Sequence, residues 1–346
     1  MIQTDIIIIG AGPVGLFTVF EAGLLKLRCH LIDALPYAGG QLKEIYPGKP
    51  IFDIPGFPEV LAGDLIDNLL KQIEPFHPGF TLGERVETLE KDEEGQFSVI
   101  TNKGTLHRSP IVCIANGLGA FEPRKPPIEN LASFEGKGVE YFIKNKELYR
   151  NKEVVISGGG DSALDWAIQL AEITKNIKLV HRRSGFRGVP DSVEKVKRLN
   201  ELGKLELLTD SEVVGLDGKD NLESVLIRNN SGEEKWVKTD AFIPLFGLLP
   251  KPGPIANWGL EMENNAIKVN NSLDYQTNIP GVYAVGDGNT YPGKLKLILC
   301  GFHEATLFIH AAYKKMNPDR KNVLKYTTVN GVTGFSDAPL VEALEN

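Results

Sequence analysis

The sequence predicts an α/β protein in which one three-layer βαβ plan is used twice, the second copy interrupting the first. Three observations predict it. In Asp5-Ile-Ile-Ile-Ile-Gly10 four consecutive isoleucines enter a glycine-rich turn; Glu153-Val-Val-Ile-Ser157 enters a second such turn; and Gly281-Val-Tyr-Ala-Val-Gly-Asp287 supplies a late strand of the same character.

A chain of 346 residues suits two domains, each able to bury its own core, and 42% apolar with 24% charged residues is ordinary for a globular protein. The net charge of −7 and the pI near 5.5 argue against general nucleic-acid binding, which needs a large positive field. Met1 to Asp5 lead straight into a strand without a basic leader, and no apolar run approaches the length of a membrane span. A cytoplasmic protein without a membrane partner is expected. Cys29, Cys113 and Cys300 are far apart and form no C-x-x-C pair, so each reads as a small buried hydrophobe.

In chain order, the first strand is followed by a helix from Val14 to Leu25 and a strand from Cys29 to Ile32. Pro36 to Pro58, rich in Pro and Gly, reads as a loop that carries contacts. A helix over Leu61 to Ile73 and strands near Gly83 to Leu89, Gln96 to Thr101 and Ile111 to Ala115 complete the first region, with Glu90 to Gly95 as a charged turn. The stretch from Gly117 to Gly138 reads as the crossing into a second domain, where a helix from Ser162 to Glu172 and a strand from Ile177 to Val180 follow the second turn. After Phe246 loops and short strands lead to a helix from about Gly301 to Lys315. The expected domains are 1–117 and 246–346, forming one body, and 118–245.

Gly10-Ala-Gly12-Pro-Val-Gly15 stands between a strand and a helix. There the first glycine permits the tight turn, the second lets backbone approach a pyrophosphate, and the third lets strand and helix pack closely. The helix N-terminus offers free N–H groups to the phosphate. Asp33 follows Gly15 by 18 residues, at the end of the next strand, where a carboxylate accepts hydrogen bonds from ribose hydroxyls. Both halves are therefore Rossmann-like dinucleotide-binding units.

The second turn, Gly158-Gly-Gly160-Asp-Ser-Ala163, has the same spacing with alanine third, and His181 follows Ala163 by the same 18 residues. Where the first unit has an acid, this one has His181-Arg182-Arg183 and then Arg187. A carboxylate repels a 2′-phosphate and guanidinium groups grip one, so NADP(H) is assigned to the second site and a nucleotide with a free 2′-hydroxyl to the first.

Thr277-Asn-Ile-Pro-Gly-Val-Tyr-Ala-Val-Gly286-Asp287 resembles the second FAD motif of the pyridine nucleotide-disulfide oxidoreductases, whose aspartate holds the ribityl chain; the resemblance places FAD at the first site. The order Gly10 to Gly15, Gly39-Gly-Gln41, Gly158 to Ala163, His181-Arg-Arg183 and Gly286-Asp287 is similar to thioredoxin reductase over nearly the whole chain. That group carries a C-x-x-C disulfide just before the second turn. Here the matching stretch, Val139-Glu-Tyr-Phe-Ile-Lys-Asn145, has no cysteine, so thiol–disulfide exchange has no relay. The subgroup that shares the scaffold without the dithiol is the thioredoxin-reductase-like ferredoxin–NADP+ reductases, which this chain resembles in Gly39-Gly-Gln-Leu-Lys-Glu-Ile-Tyr46-Pro, Asp53-Ile-Pro-Gly-Phe-Pro58 and Gly158-Gly-Gly-Asp-Ser-Ala-Leu-Asp-Trp166.

The resemblance implies roles. Asp33 binds the adenosine ribose, Gln41 and Tyr46 contact the flavin with Tyr46 stacked on one face, Val86 and Phe121 line the adenine and flavin pockets, and Asp287 holds the ribityl chain. It also implies a homodimer whose C-terminal tail covers the other flavin face, with Tyr326 as the covering residue, Thr328 as a hydrogen-bonding neighbour and Phe335 as the alternative to Tyr326. The positive N-terminus of the helix near Gly301 would stabilise negative charge at flavin N1 and O2, with Lys294 and Lys296 flanking it; the other reading makes these two solvated loop lysines.

The implied reaction is hydride transfer from nicotinamide C4 to flavin N5, then one-electron transfers to ferredoxin or flavodoxin, with no catalytic side chain and with rotation between the domains. Other readings are a low-molecular-weight disulfide reductase of the bacillithiol type, an NADPH oxidase, and an NADPH-responsive sensor without catalysis. The bacillithiol type carries a cysteine within the first turn, where this chain has Val14. His303 and His310, seven apart on one helix, lack the partners of a metal site, and none is expected.

Overall fold

The computed structural model describes residues 1–251, 253–320 and 327–335. The chain divides into two compact units, one formed by Met1–Ala120 with Pro250–Asn346 and the other by Phe121–Leu249.

In the first unit five parallel strands lie in the order Val282–Ala284, Ile111–Ile114, Ile6–Ile9, Cys29–Asp33, Gly79–Leu82. The central run of isoleucines shows why the strand has no polar alternation. Ile6 and Ile8 pack on one face with Leu16 and Val19 of the helix Pro13–Leu24, with Leu65 and Ile66 of the helix Ala62–Ile73, and with Phe308 and Ile309 of the helix Ile298–Met316. Ile7 and Ile9 pack on the other face with Phe97 and Val99 of a four-stranded, mainly antiparallel sheet. Both faces are covered, and each such side chain contributes about 1.5–3 kcal/mol by leaving water. Helix, sheet and sheet make the three layers.

The second unit repeats the plan. Its parallel sheet runs Glu206–Leu208, Asn176–Val180, Glu153–Ser157, Ala241–Pro244. The helix Asp161–Leu170 packs on the helix Pro190–Glu201. Val155, Val180 and Phe242 meet Val213, Val225 and Ile227 of a three-stranded antiparallel sheet.

Some local expectations need correction. The segment read as a loop from Pro36 to Pro58 contains a short helix, Gly40–Glu44, and a two-residue strand, Pro50–Ile51, paired with Val60–Leu61. Tertiary contact holds that helix: Gly39 N–H donates to Ala11 O (2.8 Å), and the backbone of Gly40 closes on Gly12. The strand expected to end at Leu89 is Val86–Lys91, so its turn lies later, closed by Asp92 N–H to Gln96 O at 2.9 Å. The last long helix begins at Ile298, one turn before Gly301.

Candidate cofactor sites

The first glycine-rich turn is shaped by what it must avoid. Gly10 has φ +113°, and a Cβ there would lie 2.3 Å from the carbonyl oxygen of Ala115; a Cβ on Gly15 would lie 2.1 Å from the carbonyl oxygen of Gly10. Both glycines are required by the protein itself. Gly12 differs, since a Cβ there meets nothing within 4 Å. It caps the helix Pro13–Leu24 without any side-chain hydrogen bond, so the first N–H groups of that helix face an open cradle suited to a pyrophosphate.

Asp33 is tied to this cradle. Its Oδ2 accepts from Ala11 N–H (2.7 Å) and its Oδ1 from Leu35 N–H (2.9 Å). Burial pushes its carboxyl up, and the two backbone donors act in the opposite direction. Glu84 N–H donates to the Asp33 carbonyl at 3.1 Å, which brings the start of the strand Val86–Lys91 alongside; Val86 itself is buried with Ile9 and Ile32.

A second group of candidates converges on the same unit. Tyr46 packs against the helix-side core, and its hydroxyl is pushed up by burial and by the nearby Asp287 carboxylate. The Gln41 amide lies 3.7 Å from where a Cβ on Gly117 would be. Asp287 is pushed up by burial and pulled back by Lys294 and Lys296. A Cβ on Gly288 would lie 2.3 Å from Asn116 Oδ1, a buried oxygen without a hydrogen-bond partner. The cradle at Gly12 and this orphaned acceptor beside Gly286–Gly288 fit a polar nucleotide lying along the turn. Asn116 was not singled out from sequence; its signal is its place two residues after the strand Ile111–Ile114, at the same strand-end side of the sheet as Gly10 and Asp33.

Lys294 corrects one of the two sequence readings. It is not a solvated loop lysine: its side chain is 6% exposed and pairs with Glu304, which is fully buried. Lys296 is exposed.

In the second unit, Gly160 caps the helix Asp161–Leu170 without a side-chain bond, and a Cβ there again meets nothing within 4 Å. Ala163 is buried against Gly158. A Cβ on Gly159 would strike the His181 imidazole at 2.1 Å. That ring stacks on Phe186 (4.8 Å) and its Nε2 lies 3.0 Å from Gly185 O. Arg187 N–H donates to Gly159 O (2.8 Å), which binds the arginine loop to the turn. Arg182, Arg183 and Arg187 are exposed, and none makes an ion pair among the described residues. Burial first, and then these three charges, lower the His181 pKa against the Gly185 carbonyl, which favours the protonated ring.

Tyr326 and the side chain of Phe121 lie outside the described part of the structure. Thr328 is exposed on a four-residue helix, Thr327–Asn330. Phe335 is placed away from the turn. It packs edge-on against Phe76 and under the Arg28 guanidinium (4.6 Å), beside the start of the strand whose far end carries Asp33, a separation on the order of 15 Å. Within this chain it does not cover the site. Cys29 and Cys113 are buried with their thiols pushed up, chiefly by that burial, whereas Cys300, expected to be buried too, is only half-buried in the first turn of the helix Ile298–Met316. No group of three or more metal-ligating side chains occurs among the described residues. Nor is any helix among them long and apolar enough to cross a membrane.

The sequence matches the pyridine nucleotide-disulphide oxidoreductase family over residues 4–306. It is 66% identical to ferredoxin–NADP reductase 1 of Christiangramia forsetii, covering 97% of this chain and 96% of that protein. It is 65% identical to the ferredoxin–NADP reductase of Flavobacterium johnsoniae, covering 97% and 95%. Among solved structures it resembles a thioredoxin reductase from T. acidophilum, with a TM-score of 0.79 at 22% identity over 91% of this chain and 99% of that one. It also resembles the bacillithiol disulfide reductase of Staphylococcus aureus, with a TM-score of 0.73 at 18% identity over 93% and 100%. These two structural likenesses speak for the two-domain dinucleotide-binding fold alone. With the family matched across most of its length, the chain belongs to the pyridine nucleotide-disulphide oxidoreductases.

Proposed function

We propose that this chain is an FAD-dependent ferredoxin–NADP reductase. FAD is assigned to Gly10, Gly12 and Gly15 with Asp33, Gln41, Tyr46, Val86, Phe121 and Asp287, and NADPH to Gly158, Gly160 and Ala163 with His181, Arg182, Arg183 and Arg187. FAD and NADP(H) are the cofactors of this group of enzymes, and the two curated relatives named above carry the ferredoxin–NADP reductase name.

The observation that carries the reading is the contrast at equivalent register. One turn is bound to a carboxylate held by backbone N–H groups; the other is bordered by three guanidiniums that make no ion pair among the described residues. The first selects a ribose with free hydroxyls, the second a 2′-phosphate. When bound, FAD supplies the exchange between a two-electron nicotinamide donor and one-electron acceptors. The chain's own part is to hold and orient. The two helix N-termini bind pyrophosphate, Asp33 and the arginine loop fix the two adenosine ends, and Tyr46 supplies an aromatic face beside Asp287. No thiol pair takes part, because the stretch Val139–Asn145 lacks cysteine, Cys29 and Cys113 are buried, and Cys300, half-buried, is a lone free cysteine. Ferredoxin or flavodoxin is the acceptor, and the protein acts as a cytoplasmic homodimer whose tail, through Tyr326 and Thr328, completes the flavin site.

NADPH-driven reduction of cytochrome c, measured with and without added ferredoxin, tests this. A rate that rises severalfold with ferredoxin, and more with NADPH than with NADH, is expected. A rate indifferent to ferredoxin would remove the acceptor assignment and favour an oxidase.

A further inference from the structure

The carboxylate of Glu304 lies inside the protein with four donors on it. Gly286 N–H (2.7 Å) and Asn289 Nδ2 (2.9 Å) donate to Oε2, and Tyr291 OH (2.7 Å) and Lys294 Nζ donate to Oε1. Glu304 is fully buried and the Lys294 side chain 6% exposed. A carboxylate in such a place costs several kcal/mol unless its charge is paired and its lone pairs filled, and apolar side chains would pack there at least as favourably.

All four donors belong to one segment, 286–294, which leads from the strand Val282–Ala284 towards the helix Ile298–Met316. One of them is the backbone N–H of the residue immediately before Asp287. The same turn is closed from other sides: a Cβ on Gly301 would lie 3.3 Å from Gly286 Cα and 2.4 Å from Val14 Cγ2, and Asn289 Nδ2 also donates to Ala284 O at 2.8 Å. The network therefore fixes the backbone at Gly286, with the Asp287 side chain as its output. We infer that Glu304 is a positioning residue of the flavin site: its Oε2 holds Gly286 N–H and thereby aims Asp287, while Lys294 neutralises the charge that this acceptor brings into the core.

The inference rests on FAD occupying the first turn. It is tested with two double variants that both lack the buried ion pair but differ in the acceptor. E304Q/K294M keeps an oxygen for Gly286 N–H; E304L/K294M keeps volume without it. FAD affinity is measured by fluorescence titration of apoprotein, together with the apoprotein melting temperature and the two-electron potential of the bound flavin. E304Q/K294M should bind FAD within about threefold of the parent, while E304L/K294M should bind about tenfold or more weakly, the loss expected for one buried hydrogen bond with its turn, and shift the potential. Equal affinity in the two variants, whether preserved or lost together, overturns the inference. So does failure of E304L/K294M alone to fold, which would make the network a determinant of the fold. A parent protein that binds no FAD would instead overturn the cofactor reading beneath it.

Discussion

Asp33 Oδ2 accepts a 2.7 Å hydrogen bond from Ala11 N–H, so the acid that ends the second strand and the turn that ends the first are one rigid element. The carboxylate is spent partly on its own backbone, with Leu35 N–H on its other oxygen. The remaining lone pairs are those the proposed ribose contact would use. Asp33→Ala should lower FAD affinity by about ten- to a hundredfold, from the loss of charge-assisted hydrogen bonds worth about 1.5–3 kcal/mol. Fluorescence titration of apoprotein measures it, and an unchanged Kd would remove Asp33 from the site.

The glycines of the first turn should separate by effect. Gly12→Ala adds a methyl group that meets no protein atom within 4 Å, so the apoprotein should unfold within about 1 kcal/mol of the parent while losing at least about tenfold in FAD affinity. Gly10→Ala, at φ +113° and 2.3 Å from the Ala115 carbonyl oxygen, should instead cost about 1–3 kcal/mol of stability. Denaturant midpoints of the two apoproteins decide it; equal midpoints would contradict the division.

On the second turn, Arg182→Ala and Arg183→Ala should each raise KM for NADPH by about tenfold or more, through loss of phosphate contacts worth about 1.5–3 kcal/mol. KM for NADH should change by less than about twofold, because NADH has no 2′-phosphate to lose. Parallel losses with both nucleotides would mean that the arginines hold the fold or the pyrophosphate.

His30 and His107 share the Thr81 hydroxyl, at 2.8 and 2.9 Å, in a buried pocket of the first unit. Burial, with each other's proximity for His30, lowers both pKa values, that of His30 to about 4. The unfolded chain takes up these protons first as pH falls from 6.5, so stability is full at pH 7 and declines towards pH 4. For His30 the full loss is about 3 kcal/mol, and a little over half of it falls between pH 7 and 5. Urea midpoints at those two pH values measure it, and His30→Gln should reduce the decline. A midpoint that rises on acidification would reverse the sign of the argument.

The architecture was legible where physical requirements recur at fixed spacing. Gly15 to Asp33 and Ala163 to His181 span the same distance because a helix and its return to the sheet need it, and the chemistry at the two ends then differs openly. Pairing between distant residues was not legible. The helix Gly40–Glu44 exists because its glycines close on Ala11 and Gly12, which no local pattern states. The helix Pro190–Glu201 was legible, with Val193, Val196 and Leu199 three apart behind Pro190, although it is not among the elements named from the sequence. Lys294 reads like any loop lysine until Glu304, ten residues on, is found behind it. Phe335 illustrates the converse: an aromatic residue in a tail invites a role at the flavin, whereas here it closes over Phe76 and Arg28.

In the proposed reaction electrons pass between NADPH and FAD and leave without a thiol relay. Anaerobic titration of the flavin-loaded protein with NADPH, followed at the flavin absorption band, counts the electrons the protein holds. Without a redox disulfide the protein should accept two electrons per FAD, bleaching in step with about one equivalent of NADPH, and prior alkylation of accessible cysteines should leave the titration unchanged. Uptake of four electrons per FAD, with new thiols appearing on reduction, would contradict the account.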